Sequence, residues 1–89
     1  MIRNVIKKDG RKQPFQVDKI RRAILASADR AGVIRERAEN VAEQVMASVV
    51  EVASTKKEIT SAEIKEKILM ELDIIQPSMA EVWRQYTKE

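Results

Sequence analysis

The chain has 89 residues, 44% of them hydrophobic and 35% charged, and its 17 Lys and Arg against 14 Asp and Glu give a net charge of +3. That length holds one domain with little room for a second core, and the balance is too apolar for a disordered chain and typical of a soluble helical one. Cysteine and histidine are absent, which removes disulfides, a zinc ribbon, thiol nucleophiles and the commonest metal ligand, while one Phe, one Trp and one Tyr weigh against a binder that stacks single-stranded bases.

Residues 2 to 7 alternate well enough for a strand, with Ile2, Asn4 and Ile6 on one side and Arg3, Val5 and Lys7 on the other. Asp9-Gly10 turns the chain, and Gln13-Pro14-Phe15 is predicted to return as a short edge strand, where proline is tolerated. Phe15 is expected to plug the core beneath this hairpin; stacking on a ligand is its alternative role. Asp18 is the predicted N-cap of a first helix with Ile20, Ala23, Ile24 and Ala28 at helical spacing, and Gly32 is its natural stop. Lys19 then falls in the first turn, where its charge is unfavourable unless a bound phosphate reverses the penalty; a solvated lysine is the plain alternative.

A second helix is predicted from Arg35 to Ser54, carrying Ala38, Val41, Ala42, Val45, Met46, Val49 and Val52 on one stripe. A small domain needs that stripe for its core, although its small residues and Met46 could also face a partner. Thr60 to Glu63 fits a Thr-x-x-Glu capping box that opens a third helix bearing Ile64, Ile68, Leu69, Leu72 and Ile75. Pro77 either ends this region or opens a fourth helix, and Met79, Val82, Trp83 and Tyr86 recur at helical spacing beyond it. No internal repeat or low-complexity linker is present. No apolar run approaches the ~20 residues of a membrane span, and the basic N-terminus lacks the apolar region of a signal peptide, so the expected location is the cytoplasm with no membrane partner.

The charge is concentrated at the start, where Arg3, Lys7, Lys8, Arg11, Lys12, Lys19, Arg21 and Arg22 stand against only Asp9 and Asp18. A tight turn aims backbone N–H groups outward, the following helix start carries about half a positive charge, and lysines can neutralise phosphates from two sides. The arrangement suits an anionic ligand; a solvated hairpin tip is the bland alternative. There is no Walker P-loop, no Rossmann glycine pattern and no Ser-His or Cys-His pair, so nothing supports hydrolysis or nucleophilic catalysis, and binding without chemistry is the expectation. Asp9, Glu63 and Glu66 could help a magnesium ion indirectly, although magnesium usually rides on phosphates with few protein ligands; turn, cap and solvated helix face are their bland assignments.

The run Val5-Ile6-Lys7-Lys8-Asp9-Gly10-Arg11, followed by a spacer, Pro14-Phe15 and then Asp18-Lys19-Ile20, closely resembles the N-terminal signature of the ATP-cone. That is the nucleotide-sensing domain of ribonucleotide reductases and of the bacterial repressor of their genes. The usual family form is Val-x-Lys-Arg-Asp-Gly-Arg, then Glu-Pro-Phe-Asp, then Lys-Ile; here Lys8 replaces the Arg, Gln13 the Glu, and Gln16 the Asp or Asn. Ile59-Thr60-Ser61-Ala62-Glu63-Ile64 is similar to the family's further strand and third-helix start, and Ala80, Val82, Trp83 and Tyr86 resemble its closing helix, so the likeness covers nearly the whole chain.

The resemblance implies a single α+β domain over 1–89, a short N-terminal β-hairpin and a brief strand capping a four-helix bundle. It implies a non-catalytic sensor of ATP or dATP, with or without magnesium, that signals to a partner domain or subunit, or a second copy, and reaches DNA only indirectly. Phosphates would lie near Lys7, Lys8 and Lys19, with Lys7 and Lys19 approaching one phosphate from opposite sides. The base would tuck toward Gln13 to Ile20, Gln16 included, with Val5 as apolar wall, and the third-helix contacts map to Thr60 or Ser61 and to Lys65. Gln13 and Gln16 keep the hydrogen bonding of the family acids but not their charge, which bears on ATP against dATP. Two rivals stand beside this reading: a nucleic-acid module using the basic N-terminal face, and a ligand-free helical interaction domain anchored by Trp83 and Tyr86.

Overall fold

A computed structural model describes residues 4–86, the side chain of Tyr86 excepted. Ile2 and Arg3 of the expected strand and the Tyr86 anchor therefore lie outside the described residues. The elements run β1 (Asn4–Ile6), β2 (Lys12–Pro14), α1 (Val17–Ala31), α2 (Arg35–Ser54), β3 (Glu58–Thr60), α3 (Ser61–Ile75) and α4 (Pro77–Tyr86). The domain is α+β, a small sheet on a four-helix bundle, as the sequence implied.

The sheet has strand order β2-β1-β3, with β1 antiparallel to β2 and parallel to β3. Val5 stands opposite Gln13 on one side and Ile59 on the other, so these three share a face, and the alternate residues Ile6, Lys12 and Thr60 share the opposite one. The hairpin closes through the Lys7 N–H donating to the Arg11 carbonyl (2.7 Å) and the Gly10 N–H to the Lys7 carbonyl (2.9 Å). Gly10 takes φ +90°, a conformation that a side chain would strain, and the Asp9 carboxylate accepts from the Arg11 N–H (3.1 Å) as an Asx turn does. The return strand is framed one residue earlier than predicted: Pro14 ends β2 on the sheet edge, and Phe15 lies beyond it, half-buried against the core.

α1 also starts early. Its N-cap is Gln16, still extended at φ −113° and ψ 98°, and Asp18 is the second helical residue, not the cap. Asp18 contributes only a favourable charge to the first turn, and no side chain caps this helix. Gly32 ends it in the left-handed region at φ 74°, with its N–H and that of Val33 returning to Asp29 and Ala28 carbonyls. α2 matches its predicted span, and its stripe is buried except at the end, where Ala53 rather than Val52 turns fully inward.

α3 opens on a complete capping box: the Thr60 hydroxyl accepts from the Glu63 N–H (3.0 Å), and the Glu63 carboxylate accepts from the Thr60 N–H (3.0 Å). Pro77 opens α4 as its first residue, which resolves the two options left by the sequence. Met79, Ala80 and Trp83 are buried while Val82 is only half so. The core runs from Val5 and Ile59 of the sheet through Ile24, Val41, Val45 and Val49 to Ile68, Leu72 and Met79. Ser27 is buried among them, and its hydroxyl donates to the Ala23 carbonyl (3.3 Å). At the end remote from the sheet, Arg37 donates to the Gln76 side chain and to the Ile75 carbonyl (both 2.9 Å), tying the start of α2 to the end of α3. Among the described residues no helix is long and apolar enough to cross a membrane.

Candidate functional site

A cleft of about 500 Å³ opens between the inner face of the sheet and helices α1, α3 and α4, within the size range of small-molecule sites. From α1 and its N-cap it receives Gln16, Lys19, Ile20 and Ala23; from α3 it receives Ser61, Ile64, Lys65 and Ile68. Both sets follow an i, i+3, i+4, i+7 spacing, which is one face of a helix. Each helix thus turns a single stripe to the cleft, polar at the helix start and apolar one to two turns deeper. The sheet adds Val5 and Gln13, which its register places side by side, together with Lys7 two residues beyond Val5 and Pro14 at the edge. Trp83 of α4 completes the inner wall, only 4% exposed.

The charge in this cleft is one-sided. Lys7, Lys19 and Lys65 line it, and among the described residues no Asp or Glu does. Lys7 and Lys19 have no carboxylate partner among the described residues, whereas the basic neighbours on the hairpin are matched: Arg11 pairs with Asp9 (2.6 Å) and Lys12 with Glu58 (2.9 Å). Two helix starts add to the positive potential, since both α1 and α3 begin at the cleft. The buried lining residues, Val5, Ile64, Ile68 and Trp83, are all apolar, while Lys19 is exposed and Lys7 and Lys65 are half-buried, so the cleft is cationic where it is accessible and apolar where it is deep.

Lys8 and Thr60 stand outside this lining. Thr60 shares a sheet face with Ile6, opposite to Val5 and Gln13, and its hydroxyl is occupied by the capping box, so Ser61 is the one of the two aligned candidates that lines the cleft. Lys8 lies exposed in the turn, after the strand has ended. The other named residues, Val5, Lys7, Gln13, Gln16, Lys19, Ile20, Ser61 and Lys65, come together around the one cavity. Pro14, Ala23, Ile64, Ile68 and Trp83 line it as well and were not singled out as site residues. Ala23, Ile64 and Ile68 follow from helical spacing once Lys19 and Lys65 are placed; Trp83 arrives only because α4 packs on α1 and α3. Its burial also withdraws it from the surface-anchor role that the interaction-domain rival needed.

Among the described residues Glu63 is the titratable group shifted most by its surroundings. Its hydrogen bond with Lys56, and then those from the Thr60 backbone and side chain, lower its pKa from 4.5 to about 2. It serves the helix cap and is not a cleft residue. The donor set of the cleft does not fit a protein-held magnesium, because its described residues offer three ammonium groups and the neutral oxygens of Ser61, Gln13 and Gln16 but no carboxylate. Among the described residues no cluster of three or more Asp, Glu, His or Cys could hold a metal ion.

A comparison with curated proteins found no match. A family model described as ATP cone domain matches residues 3–88, nearly the whole chain and every element that builds the cleft. Taken with the four-helix bundle and its three-stranded cap, that match shows that the chain belongs to the ATP-cone family, whose members are nucleotide-binding regulatory domains.

Proposed function

We propose that residues 1–89 form one non-catalytic sensor that binds ATP or dATP in the cleft between sheet and helices and reports its occupancy to a partner. The observation that carries this reading is that Lys7 of the hairpin, Lys19 of α1 and Lys65 of α3 line one cleft whose buried lining residues are apolar. The three ammonium groups take the phosphates, and the base lies against Val5, Ile20, Ile64 and Trp83. Gln13 and Gln16 hydrogen-bond the nucleoside. The occupied state favours one packing of α1 against its neighbours, or one assembly of copies or subunits, by its differential affinity. The setting is cytoplasmic, and the partner is a protein domain related in role to those regulated in ribonucleotide reduction or its gene control, with DNA affected only through it.

Calorimetric titration of the chain with ATP, dATP and GTP tests the reading. The adenine nucleotides should bind with micromolar dissociation constants, about −8 kcal/mol. Light scattering on the same samples should show a change of mass if the signal is an assembly change. No heat and no rise in melting temperature with millimolar ATP or dATP would end the sensor reading.

A further inference from the structure

Resting on that nucleotide reading, we infer that the cleft is built for the magnesium-free polyphosphate, and that magnesium competes with the protein for the same phosphate oxygens instead of helping to hold them. Three observations carry this. Lys7, Lys19 and Lys65 enter from the hairpin, α1 and α3, so the phosphate end is surrounded by protein cations. Among the described residues no carboxylate lines the cleft to receive a dication or the waters that it keeps.

Three acids on the surrounding elements are committed elsewhere, Asp9 to Arg11, Glu58 to Lys12, and Glu63 to Lys56 and Thr60, and Glu66 of α3 is exposed outside the lining. Asp18 lines a separate, smaller groove that shares only Gln16 and Lys19 with the cleft. A magnesium ion on the terminal phosphates would therefore bring two positive charges among three, with only the neutral oxygens of Ser61, Gln13 and Gln16 and no described carboxylate in compensation. It would also take the oxygens to which the lysines donate, and charge-assisted bonds of that kind are among the stronger single contacts.

The test is a pair of calorimetric titrations of the whole chain with ATP at matched ionic strength, one with a chelator and one with excess magnesium chloride. Binding with the chelator should be tighter, by up to roughly tenfold. Binding that is equal in the two buffers, or weaker in the chelator, overturns the inference and leaves the nucleotide reading standing; binding in neither buffer overturns both. A Lys65→Ala variant, checked for its fold by circular dichroism, adds a second arm. With one ammonium gone, magnesium should substitute for it, so the order of the two buffers should narrow or invert. A variant weakened by magnesium as much as the parent would also overturn the competition.

Discussion

The starts of α1 and α3 face the same cleft with the same spacing of residues, yet they are finished in opposite ways. α3 closes its own first turn: Thr60 and Glu63 satisfy each other's N–H groups, and Lys56 holds the Glu63 carboxylate in place. α1 begins on Gln16 with no side-chain cap, and it carries Lys19, a cation, in the turn where cations are disfavoured. The difference separates a fixed wall from a responsive one. A phosphate arriving at the α3 start finds its amides partly engaged, whereas at the α1 start it meets open donors and an unmatched ammonium group. On the proposed sensor reading the free energy that distinguishes occupied from empty is concentrated at α1, which packs directly on α2 and α4.

The contrast breaks most sharply at the lysines. Lys19→Ala removes a charge-assisted contact worth ~1.5–3 kcal/mol, so ATP affinity measured by calorimetry should fall roughly ten- to a hundredfold. The melting temperature without nucleotide should hold or rise, because a cation has left the first turn of a helix. Lys7→Ala should lose affinity to the same extent. Folded variants that bind ATP like the parent would show that the phosphates lie elsewhere.

On the other helix the balance reverses. Thr60→Ala should lower the unfolding free energy by about 1 kcal/mol, read from urea titration, while ATP affinity changes far less than in Lys19→Ala. An affinity loss matching that of the lysine variant would erase the distinction between the two starts. Gln16→Asn sharpens it from the other side by supplying the missing cap. Stability without nucleotide should rise by about 0.5 kcal/mol, and a fall would mean that the α1 start is already satisfied.

The smallest effect concerns pH. Glu63 has a folded pKa of about 2 against 4.5, so it binds fewer protons folded than unfolded at intermediate pH. Its contribution is fully present above pH 4.5 and is lost as the pH falls through about 2. The stability difference between the parent and Glu63→Gln should accordingly shrink as urea midpoints are measured at successively lower pH across that window. A difference that stays constant would show that the cap does not depend on the carboxylate charge. The group is exposed, so salt should blunt the effect.

Much of the bundle was legible because helix faces repeat at 3.6 residues: the α2 stripe, the Gly32 stop and the Thr60–Glu63 box are local patterns with local causes. The α1 start was not. An Asp just before a helical pattern has the chemistry of a cap, and only the extended backbone at Gln16 shows that the helix has already begun when Asp18 arrives. Strand parity decided which neighbours reach the cleft, for Thr60 and Ser61 are adjacent in sequence but lie on opposite sides of a turn into the helix. Lys8 follows a strand too short for alternation to govern it, ending at Ile6. Trp83 could not be placed from spacing, since its nearness to Val5 and Lys65 is a product of helix packing across the whole chain.

The most direct test of the account follows the backbone amides of the nitrogen-labelled chain by NMR as ATP is added. The largest shifts should fall on Val17 to Ile20 and on Lys7, while the Glu63 amide, already bonded to Thr60, moves little. Shifts that leave the α1 start untouched and gather at the remote end, around Gly32, Arg37 and Gln76, would contradict it.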